Sequence, residues 1–257
     1  MGKLKFEQDE NLGFLTLSNP QMNIIGPDFI TEFTDLIPHL ETSGLRAMIL
    51  RAEGDNFSAG ADVKMFKGLS VERASTLVKN FMEVIHRLES MPFPTVAVVH
   101  GLCIAGGLEL VLACDFIWAA ETAKFAQAEA LIGTIPLGGG AQRLAQRCGP
   151  VRAREIVMTG NFFDAQTFEH WNIINRIVPA DELSEKSLIF AKNLSDGPTR
   201  AHAVTKSLLR EHQDSGLLSA DRLILRLAPP LFESVDMREG INSFLQEGPG
   251  KAKFSGK

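Results

Sequence analysis

No stretch of the chain reaches the roughly 18 uncharged apolar residues that a membrane-crossing helix needs, so no membrane partner is expected. The N-terminal MGKLKFEQDEN has neither the apolar core of a secretory signal nor the Ser/Thr of a myristoylation motif. A cytoplasmic protein is the expectation, and an organelle protein after processing would read the same. Positive charge is short: 26 Lys and Arg against 31 Asp and Glu leave a formal net charge of -5. With no basic face and no interleaved aromatic platform, nucleic acid is not an expected partner, and any anionic ligand must be held by local groups. Cysteine is scarce too. Cys103, Cys114 and Cys148 lie among apolar residues and show neither CxxC nor Cys/His metal spacing, so no metal site is expected. They read as reduced packing groups, with Cys103 close enough to a glycine turn to be considered as a reactive thiol. Phosphate loops are missing as well: neither GxGxxG nor GxxxxGK followed by Ser or Thr occurs.

What is present is a chain of 257 residues, 45% hydrophobic and 22% charged, long enough for one large core and an appendage. Its first part alternates strand and helix signals, as a parallel α/β core does. GFLTLS (13–18) and RAMILRAEG (46–54) read as strands, and residues 28–40 as an amphipathic helix. Across 71–91, Val71, Ala74, Leu77, Phe81, Ile85 and Leu88 recur at helical spacing and predict a core-facing stripe. PTVAVVHG (94–101) suits a strand buried on both faces, followed by a glycine-rich turn, an apolar helix and the strand FIWAA (116–120). After IPLGGGAQRL (135–144) helices prevail, with Asp164 an N-cap before AQTFEHW and PADEL opening another helix. There is no fixed-period repeat and no long linker.

The candidate chemistry begins with a charge in an apolar helix. In GLCIAGGLELVLACD (101–115), Glu109 is flanked by Leu108, Leu110, Val111 and Leu112. An ionised carboxylate there costs several kcal/mol without partners. Either it pairs with an arginine across the core or it serves a polar site. Gly106 and Gly107 precede it where a buried strand turns into a helix, and the unpaired N–H groups of a helix start suit a developing oxyanion. FSAGADVK (57–64) is a second glycine turn at the carboxyl end of a strand, where ligands of α/β folds collect. Glu129, between Ala128 and Ala130, is a second carboxylate in apolar surroundings. Two such glutamates near glycine turns read as an acid/base pair tuned by environment. His100 and Asp115 read as structural, Arg143 as a brace for the nearby loop or a carboxylate, and Trp118 and Trp171 as core residues.

In combination these segments resemble the enoyl-CoA hydratase/isomerase, or crotonase, superfamily. FSAGADVK is similar to its first oxyanion-hole segment, VVHGLCIAGGLELVLACD to its second and FAQAEALIGTIPLGGGAQRL to its third signature. The likeness continues through TGNFFDAQTFEHWNIINRIVP and REGINSFLQEGPGKAKF, so it covers nearly the whole chain in order. It implies an α/β fold, a crotonase-like spiral of ββα units in residues 1–195, with a helical C-terminal trimerisation region in 196–257. It implies that the N–H groups of Ala61 and Gly106 polarise the thioester carbonyl of an acyl-CoA. Glu109 would deprotonate a water and Glu129 deliver a proton, in hydration of a 2-enoyl-CoA. The alternatives are an enoyl-CoA isomerase, in which Glu129 moves the proton alone, other acyl-CoA chemistry on this fold, and a non-catalytic acyl-CoA-binding subunit. Gln21, Met22, Ile24, Ala59, Asp62, Val63, Lys64 and Leu137 are the implied substrate-binding residues, with Lys253 a weaker candidate. Coenzyme A would be part of the substrate and no separate cofactor is expected; a homotrimer or homohexamer is implied.

Three departures from the family pattern stand out. Ala128 replaces the usual proline, and Leu137 stands where hydratases commonly have a glycine whose N–H helps hold the catalytic water. NPQMNIIGPDF (19–29), the adenine-binding segment, is short and lacks its basic residue.

Overall fold

In the computed structural model, which describes residues 3–19 and 21–257, the β-branched runs become the centre of a parallel sheet. Met1 and Gly2 of the N-terminal stretch and Pro20 of NPQMNIIGPDF lie outside the described residues. The elements run β1 (Leu4–Asp9), β2 (Leu12–Leu17), α1 (Pro27–Thr42), β3 (Ala47–Ala52), α2 (Val71–Glu89), β4 (Thr95–Val99), β5 (Leu102–Ile104) and α3 (Gly106–Leu112). Then follow β6 (Phe116–Ala120), β7 (Lys124–Ala126), α4 (Gly140–Thr159), β8 (Phe163–Asp164), α5 (Ala165–His170), β9 (Arg176–Val178) and α6 (Leu183–Ser195). The chain closes with α7 (Thr199–Ser215), α8 (Leu217–Leu227) and α9 (Val235–Glu247).

Six strands form one sheet in the order β1-β2-β3-β4-β6-β9, and β5-β7-β8 form a smaller one. Only β1 runs antiparallel in the large sheet; β2, β3, β4, β6 and β9 are parallel, with Leu12 opposite Ala47 and Val96 opposite Phe116. All five residues of β4 are buried, as its unbroken apolar sequence predicts. After each central strand the chain adds a short segment to the second layer and then a helix. Isolated bridges from Ile25 to Ala61 and from Ser58 to Cys103 extend that layer beyond β5 and β7. The product is a spiral of ββα units whose second-layer segments end side by side, and those ends carry the candidate residues.

The core between the large sheet and helices α1 to α5 is filled by Phe29, Phe33, Phe57, Phe125 and Phe168, each fully buried or nearly so. Leu183 and Ala191 of α6 close the opposite face of the sheet over Ile49, Val96 and Val98. Asp164 caps α5, accepting the Thr167 N–H at 2.8 Å.

One expectation fails. The α2 stripe packs against the core only from Leu77 onward: Phe81, Ile85 and Leu88 are buried, Leu77 is half-buried against them and Val71 is 84% exposed. Spacing assigns a face to a helix but not what meets it, and the first half of α2 stands over a cavity rather than the core. The two tryptophans are also less buried than expected; Trp118 and Trp171 are half-buried and pack on Phe190 and Phe163 at the core's edge. The C-terminal helices leave Leu217, Leu218, Leu225, Phe244 and Leu245 exposed. Among the described residues no helix is long and apolar enough to cross a membrane.

Candidate active site

The ends of the second-layer segments meet because glycines let them. Gly60 has φ +83°, and a Cβ there would lie 2.8 Å from the Cβ of Ala105 and 3.0 Å from the Ile104 oxygen. Ala105, at the start of α3, takes φ 52° and ψ -124°, a conformation costly for any residue with a side chain. That turn ends the β5 ladder, where the Ala105 N–H still donates to Ala126, and frees the next N–H, that of Gly106. The N–H of Ala61, on the adjacent segment, likewise has no acceptor among the paired loop donors. Ala61 and Gly106 both line the cavity, and among the described residues neither N–H has a backbone acceptor.

Glu109 sits on the first turn of α3, 1% exposed. Its Oε1 accepts the N–H of Gly138 at 2.7 Å and of Gly140 at 2.8 Å, while Oε2 makes no hydrogen bond among the described residues. Both glycines must be bare: a Cβ on Gly138 would lie 2.7 Å from the Phe81 ring and one on Gly140 3.1 Å from the Glu109 Cγ. Arg143 holds this loop from behind, donating to the Gly138 and Gly139 oxygens at 3.0 and 3.4 Å and pairing Glu89 through two bonds of 2.6 and 3.1 Å. It therefore braces both the loop and a carboxylate. Burial pushes Glu109 up to about 8; the nearby charge of Glu129 adds to this, and the two backbone donors and Arg143 oppose it.

Glu129, 9% exposed, opens the short 3-10 turn Ala128–Ile132, and burial raises it to about 7. The two carboxyls face one cavity of about 240 Å³, whose other walls include Ile25, Leu77, Phe81 and Leu131. Among the residues lining it these two are the only titratable ones. Such a pair retains about one proton through the neutral range and can accept a proton at one side while donating at the other. Gln127, fully buried and absent from the sequence-based candidates, brings one end of its amide to 3.0 and 2.9 Å from the two Glu129 oxygens. Its signal was a neutral polar residue inside the apolar run FAQAEALI.

Of the sequence-predicted residues, Ala59, Ala61, Val63, Gly106, Glu109, Glu129 and Leu137 line the cavity. Gln21, Met22, Ile24, Asp62 and Lys64 do not. The Met22 oxygen accepts the Ala59 N–H at 2.9 Å, so the 21–25 segment lies alongside 58–62 at the cavity's outer edge. Asn23 ties it there, donating to the Glu53 and Asn56 oxygens at 2.8 Å each. Asp62 accepts the Lys64 N–H at 3.0 Å and caps the turn Val63–Phe66, which leaves the Lys64 side chain exposed. Lys253 is exposed on the C-terminal tail.

Comparison with known proteins gives the family. The family model described as enoyl-CoA hydratase/isomerase matches residues 7–257. The chain belongs to that family. A probable enoyl-CoA hydratase of Mycobacterium bovis is 31% identical over 94% of each chain. A mitochondrial enoyl-CoA hydratase of Pongo abelii is 30% identical over 96% of this chain and 84% of its own. The crystal structure of an enoyl-CoA hydratase subunit of Geobacillus kaustophilus superposes with a TM-score of 0.92 at 30% identity, covering 99% of this chain and 98% of the other. The protein is thus an enzyme of the enoyl-CoA hydratase/isomerase family with the crotonase fold.

Within this family member the remaining conspicuous residues are structural. A ring nitrogen of His100 pairs with the Gly54 oxygen at 2.8 Å. Asp115 takes the Thr95 N–H, the Thr95 hydroxyl and Lys206 at 2.8, 3.0 and 2.7 Å. Cys103 is fully buried, and burial pushes its thiol well above the usual range, so it is no reactive group.

Proposed function

We propose that the protein is an enoyl-CoA hydratase, a carbon-oxygen lyase that adds water across the double bond of a 2-enoyl-CoA to give a 3-hydroxyacyl-CoA. The observation that carries this reading is a pair of buried glutamates on one apolar cavity, with Glu109 held through Oε1 alone. Its second oxygen is left for a water. At rest the retained proton favours Glu109, whose value of about 8 lies above the value of about 7 for Glu129; in the reacting arrangement it sits on Glu129 and Glu109 is the carboxylate, a transfer that costs about 1.4 kcal/mol. Glu109 takes a proton from water as the water oxygen bonds to the β-carbon; electrons shift through the α-carbon to the thioester oxygen, which the Ala61 and Gly106 N–H groups stabilise. Glu129 then gives its proton to the α-carbon as the enolate collapses. H and OH have been added, and the proton now on Glu109 returns to Glu129 before the next turnover.

Coenzyme A enters as part of the substrate, and the reading requires no further cofactor. The nucleotide would lie along residues 21–24 with Lys64 beside it. The exposed apolar residues of α8 and α9 support a trimer, or a hexamer of paired trimers. A cytosolic location fits the lack of a crossing helix among the described residues. One observation favours isomerisation instead: Leu137, bulkier than the glycine common in hydratases, lines the cavity that must also hold a water. Its N–H, however, has no acceptor among the paired loop donors and is available to that water.

The test is a panel of short, medium and aromatic 2-enoyl-CoA thioesters, followed by loss of enoyl absorbance. Hydration of at least one member is expected, with Glu109→Gln and Glu129→Gln each about 10²- to 10⁴-fold slower. No hydration anywhere in the panel refutes the proposal. Double-bond migration in its place would identify an isomerase, and coenzyme A binding without turnover a non-catalytic subunit.

A further inference from the structure

Gln127 has no exposed surface, and its flanking residue Ala126 is fully buried as well. A polar amide in such a place must have its hydrogen bonds met. One terminal atom lies 3.0 and 2.9 Å from the two oxygens of Glu129, and the other faces only hydrogen-bond donors. An amide oxygen against a carboxylate would set acceptor on acceptor away from solvent, and the swapped amide satisfies both of its ends, so the nitrogen occupies the Glu129 side. Gly140 makes room for this amide: a Cβ there would lie 2.8 Å from it. The N–H of the same glycine holds Glu109, so Gln127 stands between the supports of both carboxylates.

From this geometry we propose that Gln127 is a positioning residue: its NH₂ bridges both oxygens of Glu129, fixes the carboxyl plane and stabilises the anion left when the proton departs. The contact stands on the structure, and its use in turnover rests on the hydratase reading. Glu109 is the only other titratable group facing the cavity, with Arg143 behind it; the other cavity neighbours are apolar apart from Thr134.

The experiment replaces Gln127 with Met, which keeps the length and removes the amide, and titrates Glu129 in the ligand-free protein by ¹³C NMR. The resonance is assigned by its loss in Glu129→Gln. Removing a donor to the charged form disfavours ionisation, so the Glu129 midpoint moves up by about one unit, a tenfold change in proton affinity. With a hydrated enoyl-CoA, kcat falls at least tenfold while KM stays within about twofold, because Gln127 is not among the residues lining the cavity. The alkaline limb of the kcat profile, where the Glu129 proton is lost, moves in the same direction. Gln127→Asn withdraws the amide by one methylene and gives a smaller shift of the same sign; it serves if Gln127→Met fails to fold. A folded variant with an unmoved Glu129 titration overturns the proposal. A shifted titration in a protein that hydrates no enoyl-CoA leaves the contact standing and refutes the hydratase reading instead.

Discussion

Replacing Glu109 by Gln is expected to make the protein more stable as it makes it inactive, and the stability gain has a pH signature. Burial raises the folded-state value from the ordinary 4.5 to about 8. Below pH 4.5 the group is protonated in the folded and unfolded chains alike, and it costs nothing. Between 4.5 and 8 the unfolded chain ionises while the folded chain keeps its proton, so stability falls by about 1.36 kcal/mol per pH unit. The cost reaches roughly 3 kcal/mol at pH 7 and levels off near 5 kcal/mol above pH 8. A glutamine keeps an oxygen for the Gly138 and Gly140 N–H groups and removes the titration. Its NH₂ faces a mostly apolar cavity, which gives back about 1 kcal/mol. The Glu109→Gln protein should therefore match the parent near pH 4.5 or fall slightly below it, and exceed it by about 2 kcal/mol at pH 7. Glu129 titrates in both proteins and largely cancels from the difference. Urea unfolding at fixed protein concentration across pH 4.5–8 measures this directly. A stability difference that does not change with pH would show that Glu109 is not held in its raised state by burial.

Three further substitutions probe the supports. Gly60→Ala brings a Cβ to 2.8 Å from that of Ala105 at φ +83°; about 3 kcal/mol of lost stability and at least tenfold lower kcat are expected, by thermal melts and steady-state kinetics. Arg143→Met strands Glu89 and frees the Gly138 and Gly139 oxygens. A loss of about 3 kcal/mol is expected, and a double-mutant cycle with Glu89→Gln should show coupling above about 1 kcal/mol. Leu137→Gly enlarges the cavity beside the glutamates; a several-fold rise in the rate of crotonyl-CoA hydration is expected, and an unchanged rate would show that Leu137 does not crowd the water.

The parts of the fold that were legible in the sequence are those that carry their own pattern. PTVAVVHG and FIWAA contain enough buried β-branched and aromatic residues to read as strands, and Asp164 announces a helix start by its capping chemistry. The second sheet was not legible. Its strands are two or three residues long, too short to show a period, and they exist because neighbours distant in sequence supply their hydrogen bonds. Leu102–Ile104 was read as part of a glycine turn, yet its ladder to β7 is what delivers Gly106 to the cavity. In the site, Glu109 and Glu129 showed themselves as charges among apolar residues. Glu89 did not, since only folding brings it to Arg143, 54 residues away. Gln127 carries no charge and gave a weaker mark.

Burial alone does not separate the charges that serve the fold from those that serve the cavity; unused hydrogen-bonding capacity does. Asp236 is buried, and its two oxygens take the N–H groups of Ser255 and Gly256 and the Ser255 hydroxyl. Arg147 donates to the carbonyls of Leu112, Cys114 and Ile173, satisfying oxygens at the end of α3. Each of these groups completes backbone that would otherwise lack a partner. Glu109 is arranged differently. Two backbone donors converge on one oxygen, and the partly buried Arg143–Glu89 pair holds the loop that carries them, while Glu109 itself lines the cavity. The strained turn at Ala105 works in the same direction, leaving the Gly106 N–H without a protein acceptor. Each arrangement leaves polar atoms that the described residues do not use, the N–H groups of Ala61 and Gly106 and Oε2 of Glu109, and on the proposed reading a thioester oxygen and a water are their partners.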